Sequence, residues 1–162
     1  MTLGDHPMNT KRQPILTLGW NSIHDAIDSL TYQIKPLRPI LLVAISRGGL
    51  IPATLLSHKL NCPVEVISAS AYEGTRRTLQ KPIIIDGWLP GYNDPRTIVI
   101  DDILDSGDTY AALLNKAGGV TSKFKFATLI TKTPKRFTNH NLNYAQVPKE
   151  VWVKFPWEGD IE

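Results

Sequence analysis

The sequence has few of the features that mark specialised classes of protein. Cys62 is its single cysteine, which excludes an internal disulfide and leaves no cysteine-based metal site. No hydrophobic run approaches the length of a membrane span, and the N-terminus lacks the apolar segment of a secretion signal. Basic residues cluster no further than pairs such as 76–77 and 135–136. These absences predict a cytoplasmic protein that neither spans a membrane nor binds nucleic acid.

The residues that are present are typical of one soluble domain. The 162 residues are 42% hydrophobic and 20% charged, and their formal net charge is +3. A chain of this length can bury a substantial core, and its slight positive charge suits a phosphate-bearing ligand. Residues 1–14 are mostly polar and are predicted to form a flexible tail ahead of a single domain from 15 to 162. Cys62 precedes Pro63 near a strand start and is expected to be buried.

Apolar residues recur in a pattern that alternates between strands and helices. We predict helices over 21–35, 50–60 and 110–117, with Ser22 and Asp25 capping the first. Short apolar runs predict strands, which cover 40–45, 64–68, 97–100 and 124–130. This order indicates the α/β class, with an open, mostly parallel sheet flanked by helices. Ligands of such sheets bind beyond the carboxyl ends of the strands.

The most informative segment is residues 97–109, TIVIDDILDSGDT. An apolar run leads into Asp101 and Asp102, and a third acid follows at Asp105, just before a predicted helix. Carboxylates behind a buried strand can hold a sugar diol or a metal, and free N–H groups at a helix start can hold a phosphate. An ordinary capping turn would explain Asp105 or Ser106, but not two adjacent acids behind an apolar run. The segment therefore suits a phosphorylated ribose.

A second strand also runs into a glycine-containing turn, at Ser46-Arg47-Gly48-Gly49. Arg47 offers a fork of donors for phosphate oxygens, and the glycines let backbone N–H groups approach an anion closely. Taken alone the turn is a weak signal, because glycines between a strand and a helix usually serve only to make the turn. Its place at the end of a neighbouring strand lets it face the same ligand as the acidic segment.

The residues 100–109 resemble the signature of the type I phosphoribosyltransferases that binds 5-phosphoribosyl 1-pyrophosphate (PRPP). That signature is an apolar strand, paired acids, two further residues, then Asp, Ser or Thr, Gly, any residue and Thr. The turn at 46–49 resembles the pyrophosphate loop of the same family, which often contains a cis peptide. From Leu16 to Glu158 the chain resembles the xanthine–guanine phosphoribosyltransferases, through Gly19-Trp20, Lys132 after a strand, and residues 148–158, PKEVWVKFPWE.

The resemblance implies a binding role for each half of the PRPP molecule. Asp101 and Asp102 would bind the ribose hydroxyls, and Asp102 would also lie near a Mg²⁺ cofactor. The pyrophosphate would be held by Arg47, Gly48 and Arg77, although the adjacent Arg76 is an alternative. The 5-phosphate would be held by a loop of four residues, Ser106, Gly107, Asp108 and Thr109. Asp108 departs from the glycine or lysine often found in this loop and adds a negative charge near the phosphate.

The resemblance also implies a purine site. Asp105 would be the catalytic residue and take or share the N7 proton, while Lys132 would donate to the 6-oxo group. Trp152 would stack on the ring, and the Val153 backbone would contact the exocyclic 2-position. Core packing is the commoner fate of tryptophan, and a lone lysine is most often simply solvated, so these assignments depend on the resemblance.

Two further structural features follow from the family. A flexible lid is expected over residues 72–96, where glycine, proline and two arginines interrupt the pattern. The alternative is a surface hairpin in which Ile83–Ile85 form an edge strand ending at Asp86 and Gly87. A small base-binding hood is expected from the N-terminal region and residues 132–162. The family usually assembles into homodimers or homotetramers.

These features predict purine salvage, in which PRPP and a 6-oxopurine (guanine, xanthine or hypoxanthine) give a nucleoside 5'-monophosphate and pyrophosphate. Two alternatives remain open. One is a non-catalytic regulator that binds PRPP or nucleotides, and the other is a phosphoribosyltransferase for another base, such as adenine or a pyrimidine. Lys132 suits an oxo acceptor better than the amino group of adenine.

Overall fold

The computed structural model of the protein describes residues 12–71, 83–119, 123–132 and 141–159. The strands in these ranges are β1 (Ile15–Thr17), β2 (Leu41–Ser46), β3 (Val64–Ala71), β4 (Ile83–Asp86), β5 (Thr97–Leu104), β6 (Lys125–Thr131), β7 (Asn141–Gln146) and β8 (Trp152–Lys154). The helices are α1 (Trp20–Ile34), α2 (Leu50–Leu60) and α3 (Asp108–Lys116), with short 3-10 helices at Lys35–Leu37 and Pro90–Tyr92.

The central sheet contains six strands in the order β4-β3-β2-β5-β6-β7. Every neighbouring pair is parallel except β3 and β4. Along β2, Leu42 and Ala44 belong to a core that includes residues of α1 and α2, while Val43 and Ile45 belong to a second core with residues of α3. Successive side chains of a strand point to opposite faces, so helices cover both faces of the sheet. The predicted α/β class with an open, mostly parallel sheet is confirmed.

The first helix begins differently from the prediction. Its N-cap is Gly19, and no side chain forms a capping hydrogen bond there. Because the helix already starts at Trp20, Ser22 lies inside the first turn and cannot occupy the cap position. The predicted cap of Ser22 and Asp25 is therefore wrong. The buried face of α1 is as predicted, with Ile23, Ala26, Ile27, Leu30 and Ile34, and Cys62 is buried as expected.

Two predicted segments change in extent. β5 continues four residues beyond Ile100, because Asp101, Ile103 and Leu104 pair with residues of β6. The paired acids thus belong to the strand and not to the turn after it. In the segment predicted as a lid, residues 83–96 contain β4 and the 3-10 helix at Pro90–Tyr92. The edge-strand alternative is confirmed for this part, which is not an unstructured loop, and residues 72–82 lie outside the described ranges.

A separate two-stranded sheet joins the two ends of the described chain. β1 and β8 are parallel, with Leu16 opposite Val153. The aromatic residues around it pack together, since Trp157 stacks on Phe155 at 4.9 Å between ring centroids and lies 6.1 Å from Trp20. In the described ranges, no helix has the length and apolar character needed to cross a membrane.

Candidate active site

The site lies where the central parallel strands end. β2, β5 and β6 are neighbours in the sheet, so the loop after Ser46, the loop after Leu104 and Lys132 all emerge at one edge. An open cleft with a volume of about 950 Å³ lies there. It is lined by residues of β2 and β3, of the turn after β2, of β5, and of the chain from β8 onward: Ser46, Arg47, Gly48, Ser68, Ala69, Asp102, Trp152, Lys154, Trp157, Glu158 and Gly159.

The turn after β2 packs directly against the acidic end of β5. A Cβ atom at Gly48 would lie only 2.4 Å from Asp102 Oδ2, and one at Gly49 only 2.2 Å from the carbonyl oxygen of Ile100. These approaches require glycine, because no side chain fits in the space. The peptide bond between Ser46 and Arg47 is cis, as the family resemblance implies. The structure thus brings Gly48 and Asp102 into contact, with Arg47 lining the same cleft.

Burial changes the acidity of both adjacent carboxylates. Loss of solvent, and then the charge of Asp102, raise the pKa of Asp101 well above its ordinary value. The Asp102 N–H donates a hydrogen bond to Asp101 Oδ1 at 2.9 Å, which partly opposes this effect. Burial also raises the pKa of Asp102, and the nearby charge of Glu158 adds to the shift. A cation or a set of hydroxyl donors would therefore stabilise the ionised pair.

The donor set fits a loosely held Mg²⁺. No group of three or more metal-ligating side chains gathers anywhere in ranges 12–71, 83–119, 123–132 and 141–159. Mg²⁺ is commonly bound through one or two carboxylates, with substrate phosphates and water completing its shell. Asp102 lines the cleft and Glu158 is close enough to influence its pKa. The site therefore suits Mg²⁺ that arrives with a phosphate-bearing substrate.

We expect Asp101→Asn to raise the thermal stability of the protein at neutral pH. The raised pKa means that protonating Asp101 stabilises the folded state; this contribution is full below the unfolded pKa and is lost as pH rises through the folded pKa. Asparagine is neutral at every pH and keeps the Oδ1 acceptor for Asp102. A gain of about 1 kcal/mol would raise Tm by about 2–4 °C. Calorimetric scans at several pH values test this, because the gap between variant and wild type should widen as pH rises. A constant or reversed gap would contradict it.

The predicted phosphate loop lies at the start of α3. Gly107 has a φ of 87°, in the left-handed region that favours glycine, and helix α3 begins at the next residue. The Ser106 hydroxyl donates to Asp108 Oδ2 at 2.8 Å, and the Asp108 N–H lies 3.3 Å from Ser106 Oγ. The Asp108 carboxylate therefore turns back toward Ser106. Thr109 is half-buried in the first turn of the helix.

The predicted purine residues come together from three separate segments. The Lys132 side chain is only 5% exposed, and its Nζ lies 3.5 Å from Asp105 Oδ2. The same Nζ lies 5.9 Å from the ring centroid of Trp152. The Lys132 N–H donates to the carbonyl oxygen of Leu104 at 2.8 Å, which fixes the backbone beside the end of β5. Lys132 is thus not a solvated surface lysine.

The two tryptophans of the C-terminal segment have different environments. Trp152 is 54% exposed, so core packing does not account for it, whereas Trp157 is half-buried and stacks on Phe155. The Trp152 N–H donates to the carbonyl oxygen of Pro14 in the pairing with β1. Alternate residues of a strand bond to opposite sides, so the Val153 N–H and C=O face away from β1.

The predicted site is therefore only partly assembled by the described residues. Asp101, Asp102, Arg47 and Gly48 form one group, and Asp105, Lys132 and Trp152 form another. Arg76 and Arg77 lie outside the described ranges. Sequence analysis missed Lys154 and Glu158 as lining residues of the cleft. Strand alternation from Trp152 was a signal for Lys154, whereas nothing local pointed to the proximity of Glu158 and Asp102.

Comparison with known proteins supports the geometric interpretation. The family model for the phosphoribosyl transferase domain matches residues 19–159. The chain is 33% identical over 148 residues to a xanthine-guanine phosphoribosyltransferase of Gluconobacter oxydans, covering 88% of this chain and 83% of that protein. It is 26% identical to one of Nitratidesulfovibrio vulgaris, over 91% and 87% of the two chains.

A solved structure agrees with this assignment. The crystal structure of a purine phosphoribosyltransferase from Pyrococcus horikoshii superposes with a TM-score of 0.76 at 27% identity, covering 91% of this chain and 97% of that one. The acidic end of β5, the glycine turn after β2 and the loop before α3 are arranged as a PRPP site requires. The chain belongs to the phosphoribosyl transferase family and is a phosphoribosyltransferase of type I.

Proposed function

We propose that this enzyme transfers the 5-phosphoribosyl group from PRPP to a 6-oxopurine, giving the nucleoside 5'-monophosphate and pyrophosphate in purine salvage. The observation that carries the proposal is the grouping of Lys132 with Asp105 and Trp152 at the sheet edge. A cationic donor, a carboxylate and an exposed aromatic ring match the oxo group, the N7 proton and the face of a 6-oxopurine. The names of the two bacterial relatives and of the Pyrococcus protein support the same class of base.

On the PRPP side, each group has a proposed role. Asp101 and Asp102 bind the ribose hydroxyls, and residues 106–109 hold the 5-phosphate with backbone and hydroxyl donors. Arg47, Gly48 and Arg77 hold the pyrophosphate. Mg²⁺, held by Asp102, would neutralise the pyrophosphate and make it a better leaving group. Part of the segment 72–96 closes over the reaction centre and excludes water.

On the base side, Asp105 accepts or shares the N7 proton as N9 attacks the ribose. Lys132 donates to the 6-oxo oxygen, Trp152 stacks on the ring, and the Val153 backbone contacts the 2-position. The small sheet of β1 and β8, which carries Trp152, serves as the hood over the base. We further propose that the enzyme is cytoplasmic and forms a homodimer or homotetramer.

The two alternative functions differ from this proposal in measurable ways. A non-catalytic regulator has no need for a carboxylate and a buried lysine placed 3.5 Å apart beside an exposed tryptophan. An enzyme for adenine would require a hydrogen-bond acceptor near the 6-amino group, and the Lys132 ammonium has no acceptor capacity. The arrangement around Lys132 thus favours catalysis on an oxo base over both alternatives.

A direct assay tests the proposed function. The protein is incubated with PRPP, Mg²⁺ and, in turn, guanine, xanthine, hypoxanthine, adenine and uracil, and nucleotide and pyrophosphate are quantified. We expect turnover with the 6-oxopurines and far less with the other bases. Binding of PRPP without turnover of any base would support a regulator, and preferential use of adenine or uracil would indicate a different substrate class.

We expect Lys132→Ala to raise KM for the purine base while leaving KM for PRPP nearly unchanged. A lost charge-assisted hydrogen bond weakens binding by about 1.5–3 kcal/mol, or roughly tenfold to a hundredfold. Steady-state kinetics with each substrate varied in turn measure both constants. Lys116→Ala, at an exposed lysine of α3, is the matched control. An equal loss of affinity for PRPP and purine would instead assign Lys132 a structural role.

A further inference from the structure

The cleft contains a second lysine on the strand that carries Trp152. Along β8, Trp152 and Lys154 are two residues apart and so lie on the same strand face, about 6.5 Å from each other along the strand. Both line the cleft, whereas the Val153 side chain between them is buried. Lys132 contacts Trp152 from the side of Asp105. The exposed indole is therefore accompanied by two cationic side chains and not one.

The proposed orientation of the base decides which of its edges meets Lys154. Asp105 and Lys132 are adjacent, and N7 and the 6-oxo group are neighbours on one edge of a purine. A base that faces them with this edge points its 2-position the other way. The Val153 backbone is the proposed contact of the 2-position, and Lys154 is the next residue. The substituent at C2 thus lies on the part of β8 from which the Lys154 side chain enters the cleft.

We propose that Lys154 determines specificity at the 2-position and favours a 2-oxo purine over a 2-amino purine, an inference that rests on the proposed function. An ammonium group has three donors and no acceptor. The 2-oxo group of xanthine can accept from it, whereas the 2-amino group of guanine presents its own N–H donors. Xanthine also ionises readily, and its anion gains from two nearby lysines. Hypoxanthine has no substituent at C2, so the expected order is xanthine, then hypoxanthine, then guanine.

The other charged groups of the cleft do not reverse this preference. The Glu158 carboxylate would favour a 2-amino group, but its Oε2 accepts a hydrogen bond from the Phe155 N–H at 3.0 Å, and its charge acts on Asp102. It therefore lies toward the ribose and metal side of the cleft. Arg47 belongs to the turn after β2 and is assigned to pyrophosphate. Lys154 is the lining residue whose charge and strand position match the 2-position of the base.

Kinetics of matched variants test the inference. Wild type, Lys154→Met, Lys154→Arg and the control Lys149→Met, at an exposed lysine before β8, are compared in kcat/KM for xanthine, guanine and hypoxanthine and in KM for PRPP. We expect Lys154→Met to lower the xanthine-to-guanine ratio about tenfold or more, while arginine and the control retain it. Methionine keeps the length and apolar stem of lysine, and thermal unfolding confirms that the variant is folded.

Three results would overturn the inference. One is a ratio that stays within about twofold of wild type in Lys154→Met. Another is an equal rise in KM for PRPP with all three bases, which would place Lys154 on pyrophosphate. The third needs no variant: in calorimetry, the wild-type enzyme should bind xanthosine monophosphate more tightly than guanosine monophosphate, and the reverse order would contradict the proposal. Turnover with an unchanged ratio sinks this inference alone, whereas no turnover of any 6-oxopurine sinks the proposed function as well.

Discussion

Asp105→Asn is expected to lower kcat by about 10²-fold or more while leaving the fold and most of the PRPP affinity intact. The Asp105 side chain is 60% exposed at the end of β5, so its replacement removes no core contact. Its Oδ2 lies 3.5 Å from Lys132 Nζ, and asparagine keeps an oxygen that can accept from this lysine. What asparagine lacks is the basicity needed to take a proton from N7. The loss should therefore appear in the chemical step.

Single-turnover and steady-state kinetics separate this effect from a loss of binding. The control is Asp25→Asn, at an exposed acid of α1 far from the sheet edge. An Asp105→Asn enzyme that turns over at the wild-type rate would exclude Asp105 as a proton acceptor. A variant that loses PRPP affinity and keeps kcat would instead assign Asp105 to ribose or phosphate binding.

The parts of the fold that the sequence predicts well are those with buried apolar periodicity. β2 is apolar on both faces because helices cover both sides of the sheet, and an unbroken run such as Leu42–Ile45 has few other interpretations. α1 follows for the same reason, from its five buried positions at helical spacing. The carboxyl-edge location of Asp102 and Asp105 then follows from the topology of parallel sheets.

The elements that were missed are governed by tertiary contacts. β7 has the sequence NLNYAQ, which lacks a strong apolar pattern because the strand lies at the edge of the sheet. It is held in part by α1, where the Gln33 side chain donates to the carbonyl oxygen of Asn143 at 3.1 Å. The extension of β5 through Asp101 likewise depends on pairing with Thr128 of β6. Propensity alone ends a strand at such polar residues, and only the neighbouring strand continues it.

The candidate site shows the same division. Motif spacing identified the members of each group, but the contact between Gly48 and Asp102 arises from two loops that are more than fifty residues apart. No local pattern predicts how closely a turn after one strand packs against a carboxylate on the next. The approach of Lys132 to Trp152 is similar, because it depends on how the sheet of β1 and β8 lies against the main sheet.

Gly48→Ala is expected to lower kcat/KM for PRPP by about 10²-fold with little change in thermal stability. The added methyl group would lie 2.4–2.5 Å from the Asp102 carboxylate, so this carboxylate must move. Asp102 is the proposed ligand of both ribose and Mg²⁺, and a displacement of about 1 Å at a reacting centre can cost about 10²-fold. The side chain can yield without disturbing the backbone of β5, which is why the effect should fall on activity.

Gly49→Ala separates this effect from a loss of stability. Its methyl group would meet backbone atoms, at 2.2 Å from the Ile100 oxygen and 2.8 Å from the Ile45 oxygen. Backbone of paired strands cannot yield as a side chain can, so this variant should unfold at a lower temperature, by at least about 1–3 kcal/mol of stability. Gly91→Ala is the control, because no atom lies within 4 Å of its added methyl group. Measured Tm and PRPP kinetics should thus divide the three variants into inactive but stable, unstable, and unchanged. If Gly48→Ala bound and used PRPP like the control, Asp102 would not be the group that positions PRPP in this cleft.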